Sequence, residues 1–152
     1  MPRVGSAVRS FYAMTYVILD TNVLVSALWS NIDHGKPACL LSRCLSRRYQ
    51  LVYTSAMIAE YEEVLRRPKF GFAAARIKRL VAAIKTIGLN ADPVSRGFAW
   101  PLCSDGDDQR FFDVALAWDA ILVTGNKKHY PLSDRVLTPA EFFEGRDSGF
   151  QI

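Results

Sequence analysis

The chain has few cysteines and no apolar run of membrane-spanning length. Its 152 residues include three cysteines, Cys39, Cys44 and Cys103, and none of them forms a C-x-x-C pair. Because an odd number of cysteines cannot all pair within one chain, we interpret them as reduced thiols and expect a cytoplasmic protein. A membrane-spanning helix needs roughly 18 to 20 apolar residues in succession, and the apolar runs here are much shorter. The sequence therefore argues against a disulfide-stapled secreted protein and against a membrane protein.

A large excess of charge of either sign is also missing. The chain has 19 Lys and Arg against 15 Asp and Glu, a formal net charge of +4, which permits nucleic acid as a partner without requiring it. Half of the residues are apolar, which is enough for one domain with a single core. We assign residues 14–152 to this domain and interpret residues 1–13 as a poorly ordered N-terminal extension, with Met14 as an alternative start.

The chain does contain an alternation of short apolar strands and amphipathic helices. The segment Tyr16–Leu19 is a continuous apolar run, of the kind found in strands that are covered on both faces. Apolar residues at helical spacing separate most of the later predicted strands, which are Leu51–Tyr53, Ile121–Thr124 and Val136–Leu137. This order predicts an α/β fold, a three-layer sandwich with a mainly parallel central sheet.

Polar residues follow the predicted strands, at the edge where parallel sheets bind their ligands. Asp20 comes directly after the first strand, and Glu60 lies in the helix after the second. Asp108 opens a later helix, and Asn126 follows the strand that ends at Thr124. Carboxylates held together repel one another unless a cation lies between them, and oxygen ligands without Cys or His favour Mg²⁺ or Mn²⁺ over zinc. We therefore expect a site for a hard divalent cation, of the kind that acts on phosphates.

Four sequence motifs in this chain resemble those of the PIN-domain family. They are DTN at Asp20–Asn22, S-x-x-I-x-E-Y at Ser55–Tyr61, DGDDQRFFDVALA at Asp105–Ala117 and VTGNKKHYP at Val123–Pro131. The resemblance implies a metal-dependent endoribonuclease, most similar to the toxin branch of type II toxin–antitoxin pairs. It also implies RNA as the substrate and a small antitoxin protein as a partner, and it leaves a homodimer open.

Three acids carry the activity that this resemblance implies. Asp20, Glu60 and Asp108 would be the catalytic residues and metal ligands, and either Asp105 or Asp107 is an alternative to Asp108. Considered singly, an Asp after a strand is as often a helix cap as a ligand, and acids in a first helical turn ordinarily interact with the helix dipole. The four motifs in order favour the ligand interpretation.

The fourth ligand position departs from the common family pattern. Asn126 stands where many members carry a further acid, so the number of ions, one or two, is left open. The residues expected to support the ligands are Asn22, Thr124 and Asp105, and the expected RNA contacts are Lys127 and Lys128, a basic run that would lie against the phosphate backbone.

Other functions are weaker alternatives. A phosphatase with an aspartyl nucleophile would carry a second Asp where Asn22 stands, so here it would lack its acid/base group. A nucleotide-binding module would need G-x-G-x-x-G in the segment Thr21–Ser26, which contains no glycine. A degenerate PIN domain that binds RNA or a protein partner without cleavage is the remaining alternative, and Asn126 is its main support.

Overall fold

The structure is a computed structural model that describes residues 14–29, 35–97 and 99–146. The predicted extension, residues 1–13, lies outside these ranges. The strands are β1 (Tyr16–Leu19), β2 (Gln50–Tyr53), β3 (Leu89–Asn90), β4 (Ile121–Val123) and β5 (Val136–Leu137). The helices are α1 (Thr21–Trp29), α2 (Lys36–Leu45), α3 (Ser55–Leu65), α4 (Ala74–Ile87), α5 (Gln109–Trp118) and α6 (Pro139–Arg146). None of the helices in the described ranges is long and apolar enough to cross a bilayer.

The five strands form one parallel sheet in the order β3-β2-β1-β4-β5. This confirms the predicted α/β fold class with its parallel central sheet. The central strand is β1, and Val17 of β1 pairs with Leu51 of β2 on one side and Ile121 of β4 on the other. The chain order reverses at β1, so the carboxyl ends of β1 and β4 flank the crevice where sheets of this kind bind ligands.

Two elements were not predicted from the sequence. Helix α1 follows β1 almost directly, and it buries Val23, Leu24, Val25, Ala27 and Leu28. A helix that is buried on several faces has no polar stripe, so its sequence shows no helical periodicity. Strand β3 lies on the edge of the sheet and has only two residues. A strand of this length is too short to show an alternating pattern in the sequence.

Two helices begin with side-chain caps. Thr54 Oγ1 accepts a hydrogen bond from the backbone N–H of Met57 at 3.2 Å, at the start of α3. Thr138 Oγ1 accepts from the N–H of Glu141 at 3.1 Å, and Glu141 Oε1 accepts from the N–H of Thr138 at 2.9 Å, which is a complete capping box. The cap at Thr54 fixes the start of α3 just beyond β2 and so determines where Glu60 lies.

Tyr61 of α3 connects the core to the end of the central strand. Its side chain is fully buried, and its ring lies 6.3 Å from that of Phe111, centroid to centroid. Its hydroxyl donates a hydrogen bond of 2.6 Å to the carbonyl oxygen of Leu19. Since Leu19 precedes Asp20, this bond holds the backbone from which the Asp20 side chain projects.

We predict that Tyr61→Phe lowers the free energy of unfolding by about 1–2 kcal/mol, because it leaves a buried carbonyl without a donor. The melting temperature should fall by roughly 3–6 °C, as measured by circular dichroism. Tyr53→Phe is the matched control, since the Tyr53 hydroxyl reaches the carbonyl of Lys85 only at 3.5 Å. Equal losses in the two variants would contradict the role assigned to the Tyr61 hydroxyl.

Candidate functional site

Asp20 is a buried carboxylate at the carboxyl end of the central strand. Only 6% of the residue is exposed, and its backbone N–H continues the pairing with β4 through a 2.9 Å bond to the carbonyl of Val123. Its Oδ2 accepts hydrogen bonds from the hydroxyls of Thr124, at 2.8 Å, and Tyr130, at 2.9 Å. The amide of Asn22 approaches the same oxygen at 3.4 Å. These donors compensate for the loss of hydration that burial of the charge causes.

The first turn of α1 and the turn after β4 are joined by the side chains of Asn22 and Thr124. The Asn22 side-chain oxygen accepts from the N–H of Gly125 at 2.9 Å, and its amide lies 3.4 Å from Thr124 Oγ1. Thr124 Oγ1 also accepts from the N–H of Asn126 at 3.0 Å. A Cβ at Gly125 would lie 3.3 Å from the Asn22 oxygen, so the close approach favours glycine. Asn22 and Thr124 therefore contact both the Asp20 carboxylate and each other.

Tyr130 is a site residue that the sequence analysis missed. It is buried, and burial, followed by the charges of Asp20 and Asp108, raises the pKa of its hydroxyl. The hydroxyl therefore remains a hydrogen-bond donor to Asp20 at any ordinary pH. The available signal was weak, since a single Tyr after a basic run, at the end of VTGNKKHYP, is more often a packing residue.

Glu60 lies half-buried on α3, where the charge of Asp20 affects its ionisation. The hydroxyl of Thr21 donates a hydrogen bond to Glu60 Oε2. Burial raises the pKa of Glu60, and the negative charges of Asp20 and Asp107 raise it further, whereas Thr21 and the Arg110 guanidinium lower it. Glu60 is thus close enough to Asp20 for the two carboxylates to interact.

Asp108 is the acid of this group with the least compensation. Its side chain is 16% exposed, and its Oδ2 is a buried oxygen with no hydrogen-bond partner. The His129 ring lies beside it, with Nδ1 3.7 Å from Oδ2, which is too far for a hydrogen bond. The pKa of Asp108 is raised to about 6, mainly by burial and further by the charges of Asp20, Asp105 and Glu60, while His129 opposes the rise.

The other predicted acids have local partners. Asp105 Oδ1 accepts from the backbone N–H of Asp107 at 2.9 Å, and Asp107 forms an ion pair of 3.3 Å with Arg110. Both acids are exposed. Among the three acids of the segment Asp105–Asp108, Asp108 is therefore the one that is partly buried. Its carboxylate is also affected by the charges of Asp20 and Glu60.

Asn126 and the two lysines lie on the turn after β4. The amide nitrogen of Asn126 lies 2.9 Å from Nε2 of His129, which connects it to the neighbour of Asp108. Lys127 forms an ion pair of 3.1 Å with Glu141, whereas the exposed Lys128 has no carboxylate partner within the described ranges. Of the two lysines, Lys128 is the one with a charge available to a phosphate.

The chemistry of the donors fits a hard divalent cation. Asp20, Glu60 and Asp108 offer carboxylate oxygens. The charge of Asp20 raises the pKa of Glu60, and the charges of Asp20 and Glu60 raise that of Asp108. In addition, Asp108 Oδ2 has no hydrogen-bond partner. In the part of the chain that the structure describes, no three His, Cys, Asp or Glu side chains are arranged to hold an ion as they stand. Binding of an ion would therefore require the carboxylates to draw together, against a repulsion that its charge would remove.

Comparison with known proteins identifies a family and a distant relative. A family model described as "PIN domain" matches residues 16–128, a range that contains Asp20, Glu60, Asp108 and Asn126. The uncharacterized protein MJ1680 of Methanocaldococcus jannaschii is 27% identical over 143 residues, which cover 84% of this chain and 89% of the relative. The match to the family model confirms the resemblance of the four motifs.

We predict that Asp108→Asn stabilises the metal-free protein at neutral pH. The raised pKa of Asp108, about 6 against an ordinary 3.8, means that ionisation of this group costs folding free energy as pH rises through that interval. The variant avoids this cost, which we place at about 1 kcal/mol after allowance for solvent screening. Its melting temperature in EDTA should exceed that of the wild type by roughly 2–4 °C at pH 7.5, and by less at pH 4.

The control for this prediction is Asp134→Asn, which removes the same charge from an exposed side chain. It should leave the melting temperature within about 1 °C of the wild type at both pH values. A difference between Asp108→Asn and the wild type that does not grow with pH would contradict the burial assigned to Asp108.

Proposed function

The chain belongs to the PIN-domain family, whose members are generally nucleases, and on that basis we propose that it is a metal-dependent endoribonuclease that hydrolyses RNA phosphodiester bonds. The observation that carries the proposal is the position of three acids relative to the carboxyl ends of β1 and β4. Asp20 directly follows β1, and Thr21 beside it donates a hydrogen bond to Glu60. The unpartnered Oδ2 of Asp108 lies 3.7 Å from His129, in the turn after β4. Like charges are brought together in a folded protein chiefly where a site needs them. Here they lie at the switch point of a parallel sheet, the usual position of a ligand site.

The proposed roles follow from the contacts of each side chain. Asp20, Glu60 and Asp108 would hold Mg²⁺ or Mn²⁺, with the neutral side-chain oxygen of Asn126 as the fourth ligand. When bound, the ion would supply the positive charge that polarises a phosphate oxygen and activates a water molecule. Thr124 and Tyr130 keep the Asp20 carboxylate in one orientation through their hydrogen bonds, and Lys128 would contact the RNA backbone.

We further propose that the protein is the toxin of a type II toxin–antitoxin pair, neutralised by a small antitoxin protein. The support for this is the resemblance of VTGN, at Val123–Asn126, to that branch of the family. Because three carboxylates with free oxygen lone pairs form the proposed catalytic edge, an antitoxin that places an Arg or Lys side chain among them would block metal binding.

A domain that binds RNA without cleaving it is the second candidate. Its specific support is Asn126, whose amide contacts His129 and carries no charge toward an ion. Fewer charged ligands weaken the affinity of an oxygen site for a hard cation. Activity of the wild type on RNA with and without Mn²⁺ distinguishes the two candidates.

We predict that Asp20→Asn abolishes Mn²⁺-dependent cleavage of a labelled RNA, with a loss of at least about 100-fold. The substitution removes one negative charge from the proposed ligands but keeps an oxygen that accepts from Thr124 and Tyr130, so the circular dichroism spectrum should not change. Asp113→Asn is the control, because Asp113 also lies on an element of the site, α5, but pairs with Arg96. Cleavage by Asp20→Asn at the wild-type rate would refute the assignment of Asp20.

We predict that Asn126→Asp binds Mn²⁺ more tightly than the wild type, by a few-fold to about tenfold, because it adds a charge with little change of shape. Isothermal titration calorimetry measures the affinity. The same variant should melt at a lower temperature in EDTA, because the added carboxylate increases the repulsion around Asp108. If its affinity for Mn²⁺ does not exceed that of the wild type, Asn126 is not a ligand.

A further inference from the structure

Three aromatic side chains meet at the far end of α1 from Asp20. Trp29, the last residue of α1, is 58% exposed. Its ring stands edge-on against Phe70, with centroids 5.2 Å apart, and Phe70 stacks on Phe72 with centroids 5.7 Å apart and planes inclined by 16°. Phe70 and Phe72 are half-buried and pack against the core. They therefore hold the exposed indole on a rigid support.

Two cations lie against the supporting rings. Lys69 Nζ lies 5.1 Å from the centroid of the Phe70 ring, and Arg76 Cζ lies 5.8 Å from that of Phe72. Within the described ranges, no carboxylate pairs with Lys69 or Arg76. The charges of both side chains are therefore available to a partner.

The surrounding sequence is basic over a long stretch. Residues 66–79 contain six Lys and Arg and no Asp or Glu. Two of the six, Arg66 and Arg67, form exposed ion pairs with Glu62 and Glu63 at 3.5 and 3.7 Å. Of the other four, Lys69 and Arg76 lie against the aromatic rings, so positive charge is concentrated beside them although the net charge of the whole chain is small.

We propose that Trp29, Phe70, Phe72, Lys69 and Arg76, which we term the aromatic–basic surface, bind single-stranded RNA. A base stacks on Trp29, and the backbone lies against Lys69 and Arg76. The inference rests on the proposed function in taking RNA as the ligand, and it assigns that substrate a contact outside the catalytic edge.

The combination of an exposed ring and free cations favours a single strand over other partners. Every base has a π-face, so an aromatic platform binds unpaired bases with little sequence preference, while cations beside it bind the phosphates. The bases of a duplex are already stacked on one another and do not reach such a ring. A protein partner would be expected to meet more apolar surface around the Trp, where this molecule has lysine and arginine.

The position of the surface suits a substrate that also reaches the acids. Trp29 lies nine residues after Asp20 along α1, which corresponds to about 13 Å along the helix axis. A few nucleotides of an extended strand span this distance. The strand would thus be held by stacking and ion pairing at one end of α1 while a phosphate approaches the acids at the other end.

The test is the affinity for a fluorescein-labelled single-stranded RNA of about 12 nucleotides, measured by fluorescence anisotropy in EDTA so that no cleavage occurs. Trp29→Ala should weaken binding by about tenfold or more, and Trp29→Tyr should restore most of the affinity, because it keeps a stacking ring. Arg76→Ala should lower the slope of log K against log salt concentration by about 0.7, the effect of one phosphate contact.

The matched control is Lys78→Ala, which removes the same charge from the same helix. Lys78 is exposed and lies about 200° around α4 from Arg76, so its loss should change neither the affinity nor the salt dependence by a comparable amount. Melting curves of all variants confirm that each is folded under the binding conditions.

Equal RNA affinity of Trp29→Ala and the wild type would overturn the inference, as would binding of a duplex of the same length as tightly as the single strand. A surface that serves a protein partner would give the first of these results. If the wild type binds RNA through Trp29 but does not cleave it with Mn²⁺, the proposed nuclease activity fails and the RNA-binding surface stands.

Discussion

The buried carboxylate of Asp20 is the constraint on which the rest of the site depends. A charge at the end of a fully buried strand is tolerated only if hydrogen bonds replace its lost hydration. The donors come from Thr124, which follows β4, and from Tyr130, which ends the turn after it. Burial of one carboxylate therefore ties the end of the central strand to a segment more than 100 residues away in sequence. Residues that take no part in the proposed chemistry belong to the site for this reason.

The three acids do not share this stabilisation equally. Asp20 accepts from two hydroxyls at short distance, and Glu60 accepts from Thr21. Asp108 has a buried oxygen without a donor, and it is the one whose pKa burial raises to about 6. The unpartnered oxygen makes Asp108 the acid of the three whose carboxylate still lacks a donor in the described part of the chain.

Features that a short local pattern determines could be predicted from the sequence, whereas contacts between residues far apart in the chain could not. An apolar run that ends in Asp20 has to be a buried strand with a polar end, so β1 and its acid were predictable. Tyr130 was not, because its partner lies 110 residues away in sequence and nothing local distinguishes it from a packing residue. The sequence left Asp105 and Asp107 as alternatives to Asp108, because spacing alone does not show that Asp108 is the one of the three that is partly buried. For Lys127, an expected RNA contact, the fold adds an ion pair with Glu141 at 3.1 Å that the sequence did not indicate.

The distribution of charge over the folded molecule bears on how a nuclease of this kind would hold its substrate. A cluster of carboxylates repels the phosphate backbone, and a bound ion offsets that repulsion only locally, since screening in physiological salt limits its reach to about 8 Å. Affinity for RNA must then come from cations outside the cluster. Lys69 and Arg76 lie against the aromatic residues at the far end of α1, so cations are available there although the net charge of the whole chain is only +4. The RNA-binding surface would therefore be separate from the catalytic carboxylates, because the negative groups that would hold the metal repel the negative backbone of the RNA.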